Sequence, residues 1–237
     1  MYGADAVGAV VNVLTPKPIF SDISGTQGGH FFSRLSSAER SWTAGLSGTI
    51  SSPEWFAELS HAEHSFGDLQ GGKEIGKQAN TGYDSRGTNF RLSRKLNEDT
   101  SMTFGLQRSI MNNVPRTHKT VDGLTWEGLS PGAEIWRYLD QERNLYYGKL
   151  SWEDRGGVMD KGIVTFSLHQ HGQERNRMKK ATKGGDFQYF DLNDFGVSSR
   201  FESDDLWGGR ISYGVEFHTE TLSSGGYKFD DNRVRGI

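Results

Sequence analysis

The chain has 237 residues with 31 glycines, no cysteine, 34% hydrophobic and 12% aromatic residues, and a formal net charge of −3. The lack of cysteine excludes disulfides, thiolate zinc sites and thiol catalysis. The slightly acidic balance gives no basic footprint for nucleic acid, so no nucleic-acid partner is expected. The apolar share is low for a globular core, but the aromatic content is too high for disorder.

The opening stretch from Tyr2 to Thr15 reads "YGADAVGAVVNVLT" and consists of small, β-branched and nearly uncharged residues. It is not a typical secretory signal, because it lacks a basic start and Asp5 interrupts it early. We therefore expect that a leader has been removed or that the chain begins inside a longer gene product.

Period-two alternation of apolar and polar residues runs from about Gln27 onward. In 41–50, for example, Trp42, Leu46 and Ile50 fall on one face and serines and threonines on the other. Because helical periodicity never persists beyond a turn or two, the pattern predicts an all-β chain. The expected strands are 28–37, 41–51, 54–66, 88–96, 101–111, 143–153, 162–173, 194–203 and 208–221.

The connections between these strands alternate in length after the third strand. Short turns are predicted at 51–53, 96–99, 153–162 and 203–207. Long polar connections are predicted at 67–87, 112–142, 174–193 and from 222 onward. Outer-membrane barrels have short periplasmic turns and long extracellular loops, so this pattern predicts an antiparallel up-and-down transmembrane β-barrel, here partial.

The two faces of each strand fit such a barrel. The apolar face would meet lipid, and the Ser, Thr, Glu, Arg, Gln and His face would line a wet or protein-filled lumen. Four tryptophans near predicted strand ends would form interfacial girdles, and these are Trp42, Trp55, Trp152 and Trp207.

The opening stretch resembles the closing segment of the plug domain in TonB-dependent outer-membrane receptors. The matching residues of this plug-end motif include Tyr2, Gly3, Asp5, Gly8 and Asn12. The stretches "RSWTAGLSG", "GDLQGG", "TGYDSRG", "SMTFGLQ" and "NNVPRTHKT" resemble the first barrel hairpins of the branch that includes haem, haemoglobin and transferrin receptors.

The resemblance implies a division of the chain and a function. Residues 1–18 would end the plug, and 19–237 would form the N-terminal part of a barrel that closes with about 22 strands in this family. The chain would then be a fragment of a Gram-negative outer-membrane receptor. That receptor would import an iron–siderophore complex, haem or a similar nutrient when an inner-membrane TonB complex pulls on the plug. No cofactor and no enzymatic activity are implied, and lipid and lipopolysaccharide would surround the barrel.

Three residues of a predicted long loop, Arg116, His118 and Lys119, are the candidate ligand-binding residues. Cations placed there would meet an anionic iron chelate or haem propionates through charge-assisted hydrogen bonds. The alternative is an ordinary solvated loop.

Other motifs carry weaker signals. His169 and His171 share a strand face, but a third ligand is not evident, so no metal site is predicted. The basic run "RNRMKK" at 175–180 is expected to be a solvated loop, with lipopolysaccharide phosphates as its second possible contact.

Two other function classes remain open. A passive porin-type barrel would share the strand pattern but leaves the opening stretch unexplained. A soluble all-β carbohydrate-binding module would require the apolar residues of different strands to converge on one dry core, and these include Trp42, Leu46, Leu150 and Val215.

Overall fold

The computed structural model describes residues 17–72, 75–125, 130–179, 184–206 and 208–229. These residues form one nine-stranded sheet. The strands are β1 (Thr26–Ser36), β2 (Ser41–Ser51), β3 (Trp55–Phe66), β4 (Tyr83–Lys95), β5 (Thr100–Pro115), β6 (Trp136–Trp152), β7 (Lys161–Met178), β8 (Gly185–Glu202) and β9 (Ser212–Phe229). The only helical elements in these ranges are two 3-10 turns, Thr117–Lys119 and Gly157–Met159.

The topology is the simplest antiparallel arrangement. Each strand pairs with its neighbours in chain order, from β1 to β9. The all-β, up-and-down prediction and the number of strands are therefore confirmed. The sheet is open, and within the described ranges β1 and β9 each have one unpaired edge.

The connections fall at two ends of the sheet. The short-turn end carries 52–54, 96–99, 153–160 and 203–211, and the long-loop end carries 37–40, 67–82, 116–135 and 179–184. Long connections are confirmed at 67–82 and 116–135. The predicted long connection at 174–193 is wrong, because β7 continues to Met178 and β8 begins at Gly185.

The strands β7 and β8 extend further at this end than the sequence pattern predicts, for a physical reason. In this extension β7 carries polar residues on both faces, because Glu174 and Asn176 alternate with Arg175 and Arg177. The alternation that identifies a strand disappears there, while the backbone ladder continues. A bulge between Met111 and Val114 marks a similar extension of β5, where Asn113 has a φ of 53°.

The pairing register defines two faces of the sheet, because directly opposed residues of an antiparallel pair lie on the same side. We call one the apolar face, since one of its rows runs through Leu59, Phe90, Leu106, Tyr146, Leu168 and Phe195. The other is the polar face, and its members include Ser93, Thr103, Lys149 and Asp194.

The described residues contain no single packed core. The buried apolar side chains are scattered over both faces, and these are Phe56, Ile110, Leu139, Met178 and Phe187. The residues that a soluble module would bury remain open instead. Trp42 is 40% exposed, Leu46 63%, Leu150 37% and Val215 72%.

Candidate functional site

The apolar face carries a band of large side chains that crosses nearly the whole sheet. A second row, next to the one through Leu59, runs through Ile50, Ala57, Leu92, Phe104, Gly148, Phe166, Val197 and Phe217. Phe104 is 46%, Phe166 53% and Phe217 59% exposed. A continuous exposed apolar band of this kind marks a surface that contacts lipid or another protein.

An aromatic row borders this band at the short-turn end. Trp152, Phe201 and Tyr213 lie in one register row, with ring centroids 5.9 Å and 5.4 Å apart. Trp152 Nε1 donates to the Met159 carbonyl at 3.1 Å, and the Tyr213 hydroxyl donates to the Val158 carbonyl at 2.9 Å. Each ring thus packs on the apolar face while its polar tip reaches the turn at the rim, as in interfacial aromatics.

The other predicted girdle residues lie at strand ends as well. Trp55 begins β3 at the short-turn end, whereas Trp42 follows the first residue of β2 at the long-loop end. Trp207 lies outside the described residues.

The polar face is cross-linked by hydrogen bonds between side chains. Ser93 Oγ and Thr103 Oγ1 lie 2.8 Å apart with exposed fractions of 0% and 3%. Arg91 Nη2 donates to Glu58 Oε2 at 2.6 Å. On β9, His218 Nδ1 lies 3.1 Å from Asp194 Oδ1. Many polar groups of this face therefore find their hydrogen-bond partners within the sheet.

The segment before β1 crosses the polar face. Lys17, Pro18 and Phe20 line a groove together with Thr103 and Lys149. The Lys95 ammonium lies 4.9 Å from the centroid of the Phe20 ring, and the Ser21 amide donates to the Ser52 carbonyl at 3.2 Å. The chain therefore enters the sheet from the polar side, at the short-turn end.

The two long loops at the other end contact each other. The Thr117 hydroxyl donates to the Asn80 carbonyl, and Asn80 Nδ2 donates to Asp122 Oδ2 at 2.7 Å. Within loop 67–82, Asp68 Oδ1 accepts the Thr81 amide at 2.9 Å and the Gly82 amide at 3.2 Å. These bonds give the loops defined conformations and join them into one surface.

The structure places the three candidate ligand-binding residues together on this loop surface. Arg116 precedes the 3-10 turn Thr117–Lys119, and the side chains of Arg116, His118 and Lys119 are all exposed. The Arg116 amide donates to the Arg137 carbonyl at 2.9 Å, which anchors the turn on β6. Their role in ligand binding stays a prediction.

The prediction of a solvated loop for the basic run 175–180 is wrong for 175–178, which belong to β7. Arg175 and Arg177 belong to β7 and lie on the polar face, where both pair with Asp186. Since alternate residues of a strand share a face, the i, i+2 spacing of the two arginines was the available signal. A run of charged residues is more often a solvated segment, so the sequence favours a loop here.

The other candidate motifs give no site. Arg143 Nε donates to His169 Nε2 at 2.7 Å, and His171 stacks beside His169 at 6.3 Å between ring centroids. No group of three or more His, Asp or Glu suited to a metal ion occurs among the described residues. The plug-end motif, from Tyr2 to Asn12, lies outside them.

Within the described ranges, no helix has both the length and the apolar character needed to cross a membrane. No protein-family model matches this sequence, and no curated protein matches it significantly.

Proposed function

We propose that this chain forms part of the barrel wall of an energy-coupled, TonB-dependent receptor in the outer membrane of a Gram-negative bacterium. The observation that carries the proposal is the register itself. It aligns the apolar residues of successive strands into an exposed band on one face and the polar residues on the other. A wall between lipid and an aqueous or protein-filled lumen requires this division.

The dimensions agree with a membrane wall that also projects beyond the bilayer. A tilted strand crosses the hydrocarbon core with about 9–11 residues, whereas β7, β8 and β9 each have 18. The aromatic row of Trp152, Phe201 and Tyr213 would lie at the periplasmic interface. The polar extensions of β6–β9 would then rise above the outer leaflet on the side of the long loops.

The open edges call for further strands. Backbone N–H and C=O groups on an unpaired edge are costly in hydrocarbon, so only a closed barrel is stable there. In the proposed receptor, strands outside this sheet would pair with β1 and β9 and close the wall.

The entry of the chain supports a receptor with a plug rather than a passive porin. Residues 17–20 lie on the polar face, which is the luminal side in this proposal. A plug inside the lumen would connect to β1 along that path. The plug-end motif from Tyr2 to Asn12 supplies the resemblance to the family.

The proposed mechanism is gated transport in which no covalent bond changes. The loop surface with Arg116, His118 and Lys119 would take part in capturing an iron–siderophore complex or haem. The TonB complex would act on the plug, and lipid and lipopolysaccharide would cover the apolar face.

A pair of cysteine variants tests the membrane placement, since the natural chain has no cysteine. Phe104 and Gln107 are both exposed on β5 but lie on opposite faces. In membranes prepared from cells producing the full chain, we expect Gln107→Cys to react with a polar, membrane-impermeant maleimide and Phe104→Cys to be protected by lipid. Detergent solubilisation should make the two cysteines react alike.

The controls separate the competing function classes. Equal reaction of both cysteines before detergent is added would refute the lipid-facing assignment. Recovery of the chain as a monomer in detergent-free buffer would favour the soluble module instead.

A further inference from the structure

A cluster of charged side chains lies on the polar face at the long-loop end of β6, β7 and β8. Its members are Glu134, Arg137, Arg175, Arg177, Lys179 and Asp186. We call this set the arginine cluster. It is mostly shielded, since the side chains of Asp186 and Glu134 are only 5% and 15% exposed.

Arg177 is the fully paired member of the arginine cluster. It donates from Nε to Asp186 Oδ2 at 2.9 Å and from Nη1 to Glu134 Oε1 at 3.1 Å, and its Nη2 also donates to Asp186. Arg175 shares Asp186 through a bond of 3.0 Å from Nη2. Asp186 is thus engaged by Arg177 and Arg175, and Glu134 is engaged by Arg177 through Oε1 only, since its Oε2 atom is buried without a hydrogen-bond partner in the described ranges.

Arg137 is left poorly compensated. It lies directly opposite Arg177 across the β6–β7 ladder, a like-charge pairing that is unfavourable. Among the described residues, its ionic contact is with Glu134 Oε2 at 3.7 Å, which exceeds a hydrogen-bond distance. Its Nε atom is buried, with no hydrogen-bond partner in the described ranges, and the Nε of Arg175 shares this condition.

The charge count shows the same imbalance. In the part of the chain that the structure describes, four cations, Arg137, Arg175, Arg177 and Lys179, surround two carboxylates, Glu134 and Asp186, which is an excess of two positive charges. Partly desolvated cations without a counter-charge are destabilising, and arginine recognises phosphate and carboxylate groups with paired donors. The side chains of Arg137 and Arg175 remain 21% and 19% exposed, so part of each is open to an anion although both Nε atoms are buried.

We infer that the arginine cluster is a binding site for a small phosphate- or carboxylate-bearing anion, held by Arg137, Arg175 and Lys179. The anion comes from solution and not from a lipid, because the cluster lies on the face opposite the apolar band. The site follows from the charge geometry alone, whereas a place for it on a transport path rests on the proposed function.

Inorganic phosphate is the probe for this site. The full chain, in a non-ionic detergent that contains no phosphate, would be titrated by calorimetry in a buffer without phosphate or carboxylate. We expect saturable binding that weakens at least about tenfold in Arg137→Gln/Arg175→Gln. Lys179→Gln, at a residue 40% exposed, should weaken it by about twofold to fivefold without affecting folding.

The matched control also removes two arginine charges, at positions far from the arginine cluster. Arg94→Gln/Arg200→Gln changes two exposed arginines near the short-turn end and should alter phosphate affinity less than about twofold. Absence of saturable phosphate binding to the natural chain would overturn the inference, as would an equal loss in the control.

Vesicles test the alternative source of the phosphate group. Binding to vesicles with phosphatidic acid, abolished by Arg137→Gln/Arg175→Gln, together with no binding of free phosphate, would show a lipid site and overturn the assignment to a soluble anion. The cysteine labelling on β5 tests the membrane placement separately. Failure of the phosphate titration would therefore not contradict the proposed function, and equal labelling of the two cysteines would not contradict the anion site.

Discussion

Arginine substitutions at two consecutive positions of β8 distinguish a lipid-facing surface from a water-facing one. Val197 lies on the apolar face between Phe166 and Phe217, and Ser198 lies on the polar face between Thr165 and Glu216. Val197→Arg and Ser198→Arg add the same side chain to the same strand. They differ only in the face that receives the charge.

The expected destabilisation by Val197→Arg follows from the depth of Val197 in the apolar band. Val197 is four residues from Phe201 of the aromatic row, or about 13 Å along the strand at ~3.3 Å per residue. With a strand tilt of about 40°, this corresponds to a height of about 10 Å, close to the middle of a band about 25 Å tall. Arginine at the bilayer midplane costs about 2–4 kcal/mol, which lowers the folded-to-unfolded ratio about 30-fold to 1000-fold.

Ser198→Arg should be nearly neutral. The new guanidinium would lie opposite the Glu216 carboxylate on the polar face, so we expect a change within about 0.5 kcal/mol. The measurement is urea unfolding, in phospholipid vesicles, of the closed barrel that contains this sheet, followed by tryptophan fluorescence. Equal destabilisation by the two variants would show that the apolar face does not meet lipid.

Two further predictions concern the polar face and the long loops. Ser93→Ala should destabilise the sheet by about 1–3 kcal/mol by leaving the buried Thr103 hydroxyl unpaired, whereas Ser93→Ala/Thr103→Val should cost less than the single change in the same urea titration. The pKa of Asp68 is held below its ordinary value of 3.8, chiefly by the hydrogen bond from the Thr81 amide. The resulting stabilisation of loop 67–82 is present above pH 3.8 and is lost as the pH falls through the depressed pKa. The hydrogen-exchange protection factor of the Thr81 amide should fall in that range, and it should be low at every pH in Asp68→Ala.

The extended polar hairpin of β7 and β8 shows where local patterns stop being informative. Within each predicted strand, one residue in two is apolar, and this regularity depends only on the geometry of an extended backbone. From Gln173 to Arg177 the residues of β7 are polar on both faces, so nothing in their order separates a paired strand from a loop. Pairing partners such as Arg177 and Asp186 become neighbours only through the register.

The candidate site also has one part that could be predicted from the sequence and one part that could not. Arg116, His118 and Lys119 follow one another closely in the chain, so their grouping was predictable, although their role in binding remains a prediction. The arginine cluster was not predictable, because Glu134, Arg177 and Asp186 come from separate segments that only the antiparallel pairing brings together.

Residue order alone was sufficient for the all-β class, the nine strands in sequence and the choice of apolar and polar residues within each strand. These properties depend on neighbours along the chain. The tertiary structure decided that the apolar residues of β2 to β9 align on one open face, that the entering chain crosses the other face, and that unlike charges meet at the long-loop end. Such properties depend on register, which is set by cross-strand packing between residues far apart in sequence.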